Sequence, residues 1–181
     1  MVKHDMENKQ LGYTHVVTGD GKGKTTSALG MALRAAGHGF KVLIIQWLKK
    51  GWNYGELRAL TAIPQITLVQ YGRPEFIDRK NPKEIDITEA QAALIRARTA
   101  VEKEDWDVLI LDEINVALDF GLISKTEVIK LIKQKPKKLE IILTGRNAPR
   151  SIVALADYHT EIQSHKHPYQ REVLARRGVE Y

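Results

Sequence analysis

Short apolar runs alternate along this chain with segments whose apolar positions recur at helical spacing. The runs His15–Thr18, Val42–Trp47, Ile66–Gln70, Val108–Leu111, Ile141–Thr144 and Thr160–Ile162 read as strands. The segments Lys24–Ala36, Gly55–Ala62, Thr88–Lys103, Lys125–Gln134 and Ala148–Leu155 read as helices. Gly37 and Gly39 are stop signals for the first helix, and Thr88 followed by Gln91 resembles a capping box that would start the third. Strands alternating with helices predict an α/β fold, a mostly parallel central sheet of five to six strands covered on both faces. Tyr71 to Asp86, with Gly72, Pro74 and Pro82 among many charges, is the one long irregular segment. Such loops are usually functional or mobile, and this one follows a strand, where parallel sheets gather ligands.

No repeat, low-complexity tract or linker divides the 181 residues, so positions 1–181 are expected to form a single nucleotide-binding domain. Positions 1–12 read as a polar extension that could be mobile. A hydrophobic content of 43% with 28% charged residues is ordinary for a soluble globular protein. The absence of cysteine excludes disulfides, thiolate metal sites and a cysteine nucleophile. Met1 to Leu11 has no apolar centre of a signal peptide and no run reaches membrane-spanning length, so no membrane association and a cytoplasmic location are expected. The net charge of +6, from 28 Lys+Arg against 22 Asp+Glu, suits anionic ligands, nucleotides among them. The basic stretches Lys133–Lys138 and His165–Arg177 read as solvated surface rather than a nucleic-acid patch.

The chemistry concentrates first at Thr18-Gly-Asp-Gly-Lys-Gly-Lys-Thr-Thr26, between the first strand and the first helix. Gly19, Gly21 and Gly23 are expected to take positive φ and bring N–H groups to phosphate oxygens. Lys24 adds a charge, Thr25 a hydroxyl for the shell of Mg²⁺, and the helix N-terminus is itself an anion site. Thr18 stands where the P-loop pattern G-x-x-x-x-G-K-[ST] has its first glycine. A second motif, Trp106-Asp-Val-Leu-Ile-Leu-Asp-Glu113, is an apolar strand ending in two acids, the Walker B pattern for holding the metal. Asp112 and Glu113 point to opposite faces if the strand continues, so only one of them would face the phosphate. Together the motifs indicate a P-loop NTPase (RecA-like) three-layer fold.

Three further features stay open from residue chemistry alone. In Ile141-Ile-Leu-Thr-Gly-Arg-Asn147, the residues Thr144, Gly145 and Arg146 sit at the rim of the same site if their strand lies beside the P-loop strand, where Arg146 could stabilise charge on a polyphosphate; the other reading of Arg146 is a surface arginine. Trp47, Trp52 and Tyr54 could wall a large ligand or be plain core. His165 and His167 have too few partners for a metal site. Neither a Ser-His-Asp set nor a kinase catalytic-loop signature is evident. The residues thus indicate handling of ATP and Mg²⁺ without saying which bond of ATP is broken.

Taken in order, Thr18 to Thr26, Arg34-Ala-Ala-Gly-His-Gly39, Gln46-Trp-Leu-Lys49, Leu111-Asp-Glu113, Thr144-Gly-Arg146, Ala154-Leu-Ala-Asp157, Lys166-His167 and Gly178-Val-Glu-Tyr181 resemble the P-loop ATP:corrinoid adenosyltransferases of cobalamin biosynthesis and salvage. The resemblance runs from Val16 to Tyr181 and includes a loop with threonine at the first position. It implies transfer of the 5′-deoxyadenosyl group of ATP to the Co(I) centre of a reduced corrinoid, with triphosphate leaving. The substrates are then ATP and the corrinoid, the metal Mg²⁺ or Mn²⁺, and the partners a second copy of the chain and a transient reduced flavoprotein. By the same resemblance Lys24, Thr25 and Arg146 are catalytic, and Thr25 with Asp112 or Glu113 holds the metal. Gly19, Asp20, Gly21, Lys22, Gly23, Lys24, Thr25, Thr26, Arg34, Trp47 and Phe76 bind the substrates. Relatives carry a longer N-terminal helix over the site, so closure here is expected to differ or to come from the partner subunit. The alternative is a RecA-like ATPase acting on nucleic acid, which the P-loop, the acid pair and the basic balance also suit.

Overall fold

The computed structural model describes residues 11–51 and 53–181. Most of the polar extension and Trp52 lie outside them. Six strands form one sheet: β1 (Thr14–Thr18), β2 (Val42–Gln46), β3 (Ile66–Gln70), β4 (Val108–Asp112), β5 (Glu140–Thr144) and β6 (Tyr158–Glu161). Their order is β3-β2-β4-β5-β1-β6 and every pairing is parallel. The helices are α1 (Lys24–Gly37), α2 (Gly55–Leu60), α3 (Glu84–Lys103), α4 (Ile114–Asp119), α5 (Lys125–Gln134) and α6 (Arg150–Val153). This is the α/β architecture expected, with the sheet parallel throughout. Among the described residues no helix is long and apolar enough to cross a membrane.

Strand alternation divides the core into two layers. Val42, Ile44, Val108, Ile110 and Ile142 pack with α1 and α2, where Ala28, Ala32 and Ala36 make a narrow stripe at i, i+4 spacing. Leu43, Ile45, Leu109, Leu111 and Leu143 pack on the other face, against α3, α4, α5 and α6. Because both faces are covered, the strands are continuous apolar runs.

Several boundaries differ from the sequence reading. Helix α3 begins at Glu84 rather than Thr88. The Asp86 carboxylate accepts the Lys83 N–H at 2.9 Å and the Arg73 Nε–H at 2.5 Å. It therefore caps the helix start and ties the preceding loop to it. The Thr88 hydroxyl donates to the Glu84 carbonyl at 3.0 Å, one turn inside the helix. The first helix runs through Gly37, and Gly39 (φ 80°) donates to the Ala36 carbonyl beyond the cap. Helix α4 is an element the sequence pattern does not announce. Glu113, at φ 64°, turns the chain sharply out of β4 into it.

At the opposite end of the sheet from the loops, Glu140 fastens the start of β1. Its carboxylate accepts the Gly12 and Tyr13 N–H groups at 2.6 and 2.8 Å and bonds His15 Nε2 at 2.5 Å. Burial alone would raise this carboxyl, but the His15 bond and the two backbone donors hold it below its usual 4.5. A depressed carboxyl contributes stability that is present above the usual value and is lost as pH falls through the folded one. Glu140→Gln should cost about 1–3 kcal/mol near neutral pH. Chemical denaturation at stepped pH should show its acid-side loss of stability below pH 4.5 shallower than that of the parent.

Candidate active site

The parallel register brings the strand ends into line. Gln46 lies opposite Asp112, and Val17 opposite Thr144. Since β5 sits between β4 and β1, the loop carrying Thr144, Gly145 and Arg146 leaves the sheet beside the P-loop.

The P-loop glycines serve different ends. Gly19 has φ 98°, and a Cβ on it would lie 2.4 Å from the Ile162 carbonyl oxygen. Gly23 has φ 117° and open space around it, and it starts α1. Gly21 does not take a positive φ, contrary to expectation. It is required because a Cβ would meet the backbone of Gln163 at 2.8 Å, and its N–H donates to Ile162 at 2.8 Å. The loop is therefore shaped by the exit of β6 as much as by any phosphate. The Thr18 hydroxyl oxygen accepts the Ala148 N–H at 3.2 Å, pinning the loop to the segment after β5.

No side chain caps α1, and its first turn lines a cavity of about 540 Å³. Asp20, Gly21, Lys22, Gly23, Lys24, Thr25, Thr26 and Arg146 all line it. Lys24 is buried, donating to the Gly21 carbonyl at 2.7 Å. Burial pushes its ammonium below the usual range, with the Glu113 charge opposing. Asp20 turns its carboxylate to the Ser164 N–H at 3.2 Å, so it braces the loop. Lys22 reaches the Val179 carbonyl at 3.2 Å and Glu180 at 3.4 Å. Arg146 is exposed at the rim, 3.5 Å from the Asp20 carbonyl.

The strand does not continue past Asp112, so the opposite-faces expectation does not hold: Glu113 lines the polar cavity, and the acid bonded to Thr25 is Asp112. It sits on the strand face that carries Val108 and Ile110, toward α1, and is 1% exposed. Four side chains converge on it: Thr25 Oγ1 at 2.9 Å, Thr144 Oγ1 at 2.6 Å, Gln46 Nε2 at 3.0 Å and Lys49 Nζ at 2.7 Å. Burial by itself would lower the Lys49 ammonium, but Asp112 and then Glu113 outweigh it and hold it above its usual value. Glu113 donates its N–H to Thr144 Oγ1 at 3.0 Å and turns its side chain to the cavities. Burial, then the Asp112 charge, pushes its carboxyl up. Mg²⁺ suits this set: it takes hard oxygen donors, needs only one or two carboxylates, and keeps water and phosphate oxygens for the rest. The Thr25 hydroxyl beside the Asp112 carboxylate, with Glu113 adjacent, offers such donors. A three-residue His/Cys/Asp/Glu cluster, absent among the described residues, is not required.

A second cavity of about 650 Å³ adjoins the first, sharing Glu113, Val116, Phe120 and Glu180 with it. Its wall is largely apolar, from Leu48, Tyr54, Phe76, Ile77 and Tyr181. The two spaces meet over α4.

The family model for ATP:corrinoid adenosyltransferase BtuR/CobO/CobP matches residues 10–181. The chain belongs to this family. An uncharacterized protein of Nostoc sp. is 37% identical over 179 residues, covering 92% of this chain, which spans about half (47%) of that protein's length. The corrinoid adenosyltransferases of Pseudomonas aeruginosa and Escherichia coli K12 are each 32% identical over 172 residues, or 95% of this chain and 85% and 87% of theirs.

Within this adenosyltransferase-family enzyme, two of the expected binding residues stand elsewhere. Trp47 is wholly buried, its indole N–H donating to the Ala90 carbonyl at 3.1 Å, so it supports the site from beneath. Arg34 is exposed in the last turn of α1, about 15 Å along the helix from the loop. Phe76 does stand at the apolar cavity, 91% exposed. Gln46, the last residue of β2, and Lys49, in the loop after it, enter the site without having been singled out for it. Val116 lies on the unannounced α4 and Phe120 caps its end. Arg79, which lines the polar cavity and pairs with Asp119 at 2.8 Å, comes from the long loop.

Thr144 links the two acids, donating to Asp112 and accepting from Glu113. Thr144→Val should leave Asp112 one donor short and lower stability by about 1–3 kcal/mol, measured by urea titration. Thr144→Ser should restore most of it in the same titration.

Proposed function

We propose that the enzyme transfers the 5′-deoxyadenosyl group of ATP to the Co(I) centre of a reduced corrinoid and releases triphosphate. The observation that carries this reading is the junction of the two cavities. A cradle of backbone N–H groups and cations for a polyphosphate opens, over Val116 and Phe120, onto an apolar chamber suited to a large planar substrate.

In the proposed step the cobalt lone pair attacks C5′ of the ribose, the C5′–O5′ bond breaks, and the electron pair leaves on the triphosphate. Cobalt goes from Co(I) to an alkyl-Co(III). No proton is moved, so the step requires no general base. The chain has to hold C5′ toward the apolar cavity and to neutralise the leaving group. The N–H groups of Gly19 to Thr25 other than that of Gly21, the Lys24 ammonium and the Arg146 guanidinium supply that neutralisation. Mg²⁺ bound at Thr25 and Asp112, with Glu113 beside them, would add charge to the same oxygens. A homodimer and a reduced flavoprotein donor complete the proposal, on family resemblance alone.

Anion chromatography of a reaction with ATP, Mg²⁺ and preformed cob(I)alamin should show triphosphate and adenosylcobalamin in equal amounts. ADP and phosphate, with a rate stimulated by DNA or RNA, would establish the RecA-like ATPase instead. Lys24→Ala should lower kcat/KM for ATP by roughly 10²–10³-fold. Phe76→Ala, at the rim of the apolar cavity, should slow the reaction of Co(II) corrinoid plus reductant more than that of preformed Co(I). Equal slowing would remove it from any part in preparing the corrinoid.

A further inference from the structure

The loop after β2 is bent in order to deliver Lys49. Leu48 adopts φ 62°, a left-handed conformation that a branched side chain rarely takes. It is held by Gly72, whose absent Cβ would lie 2.8 Å from Leu48 Cα, and by the Lys49 N–H bond to the Tyr71 carbonyl at 3.0 Å. Such outliers persist where the surroundings over-determine them, and they cluster at functional positions. Beyond the bend the Lys49 side chain is only 12% exposed. Its ammonium lies 3.0 Å from Thr25 Oγ1 and 2.7 Å from Asp112 Oδ2. Those are the two groups assigned above to the metal. The phosphate lysine of the loop is a different residue, Lys24, so Lys49 is a second cation with a separate place.

We propose that Lys49 is the resident counter-ion of the nucleotide-free site, its ammonium bonded to both Thr25 and Asp112, the residues that would hold a divalent cation, and that it withdraws when the metal arrives with the polyphosphate. The inference rests on reading Thr25 and Asp112 as metal ligands. Two physical needs are met at once. A buried carboxylate without a counter-charge is costly, so Asp112 keeps its place in the free protein. A cation already in the position repels a divalent ion arriving alone, so metal binding is coupled to phosphate binding. The flexible four-carbon stem gives the ammonium somewhere to go. The ring of Tyr54, 5.4 Å from Nζ on the side of the apolar cavity, provides a cation–π resting place. Lys49 is thus a positioning residue, acting through Asp112 and Thr25.

The test is direct metal binding with no nucleotide, corrinoid or turnover, so a failed adenosyl transfer and a failed Lys49 assignment are distinguishable. Mn²⁺ alone is titrated into the protein and free ion is followed by electron paramagnetic resonance. Lys49→Met should bind Mn²⁺ at least roughly tenfold more tightly than the parent, since a like charge beside the metal is gone. Lys49→Arg, which keeps the cation, should match the parent. Adding Asp112→Asn to Lys49→Met should abolish the gain. Equal affinity of the parent and Lys49→Met, or a gain that survives loss of Asp112, overturns the proposal. The parent chain also tests it without any variant. Inorganic triphosphate should raise its Mn²⁺ affinity above that of the metal and triphosphate mixed without protein, and nucleotide-free binding just as tight would overturn the assignment.

Discussion

The carboxylate of Asp112 is the point on which the site depends. A buried carboxylate is tolerated only when charge and hydrogen bonds replace its hydration. Here the replacement comes from four side chains on β2, the loop after it, α1 and β5: Gln46, Lys49, Thr25 and Thr144. Each of those elements must therefore end where it does. The sheet register that sets Gln46 opposite Asp112 and the P-loop that starts α1 at Lys24 are two expressions of one requirement. Gln46 extends the network to Gln70, so the end of β3 is tied in as well.

Around that anchor the site separates into two chemistries. On one side are backbone N–H groups and cations, set by a loop whose glycines are dictated partly by the passing backbone at Ile162 and Gln163. On the other are aliphatic and aromatic side chains. Glu113 stands on the boundary because its left-handed φ ends β4 and starts α4 in a single residue, so about two turns of chain present an acid and two apolar side chains, Val116 and Phe120, to the same space. Membership of the corrinoid adenosyltransferase family fits such a division, since a polyphosphate and a large planar partner make opposite demands on a surface.

What was legible came from local signals. Period and glycine punctuation gave β1 to β5 within a residue or so, because a parallel strand covered on both faces must be a continuous apolar run. Boundaries failed where a distant side chain decided them. The start of α3 belongs to Asp86 because Arg73 holds that carboxylate from the loop, and nothing near Thr88 reveals it. Trp47 and Arg34 carried a family expectation but are placed by packing: Trp47 under the sheet against α3, Arg34 on the solvent side of α1.

The chain's residues by themselves determined most element types and the phosphate loop, since these follow from backbone freedom, side-chain period and charge. The tertiary structure alone decided that the acid bonded to Thr25 is Asp112, that β5 lies between β1 and β4 and so brings Thr144 and Arg146 to the loop, and that Lys49 stands at Thr25. Strand order and the side on which α1 packs are set by contacts between residues far apart in sequence, and no window along the chain contains them.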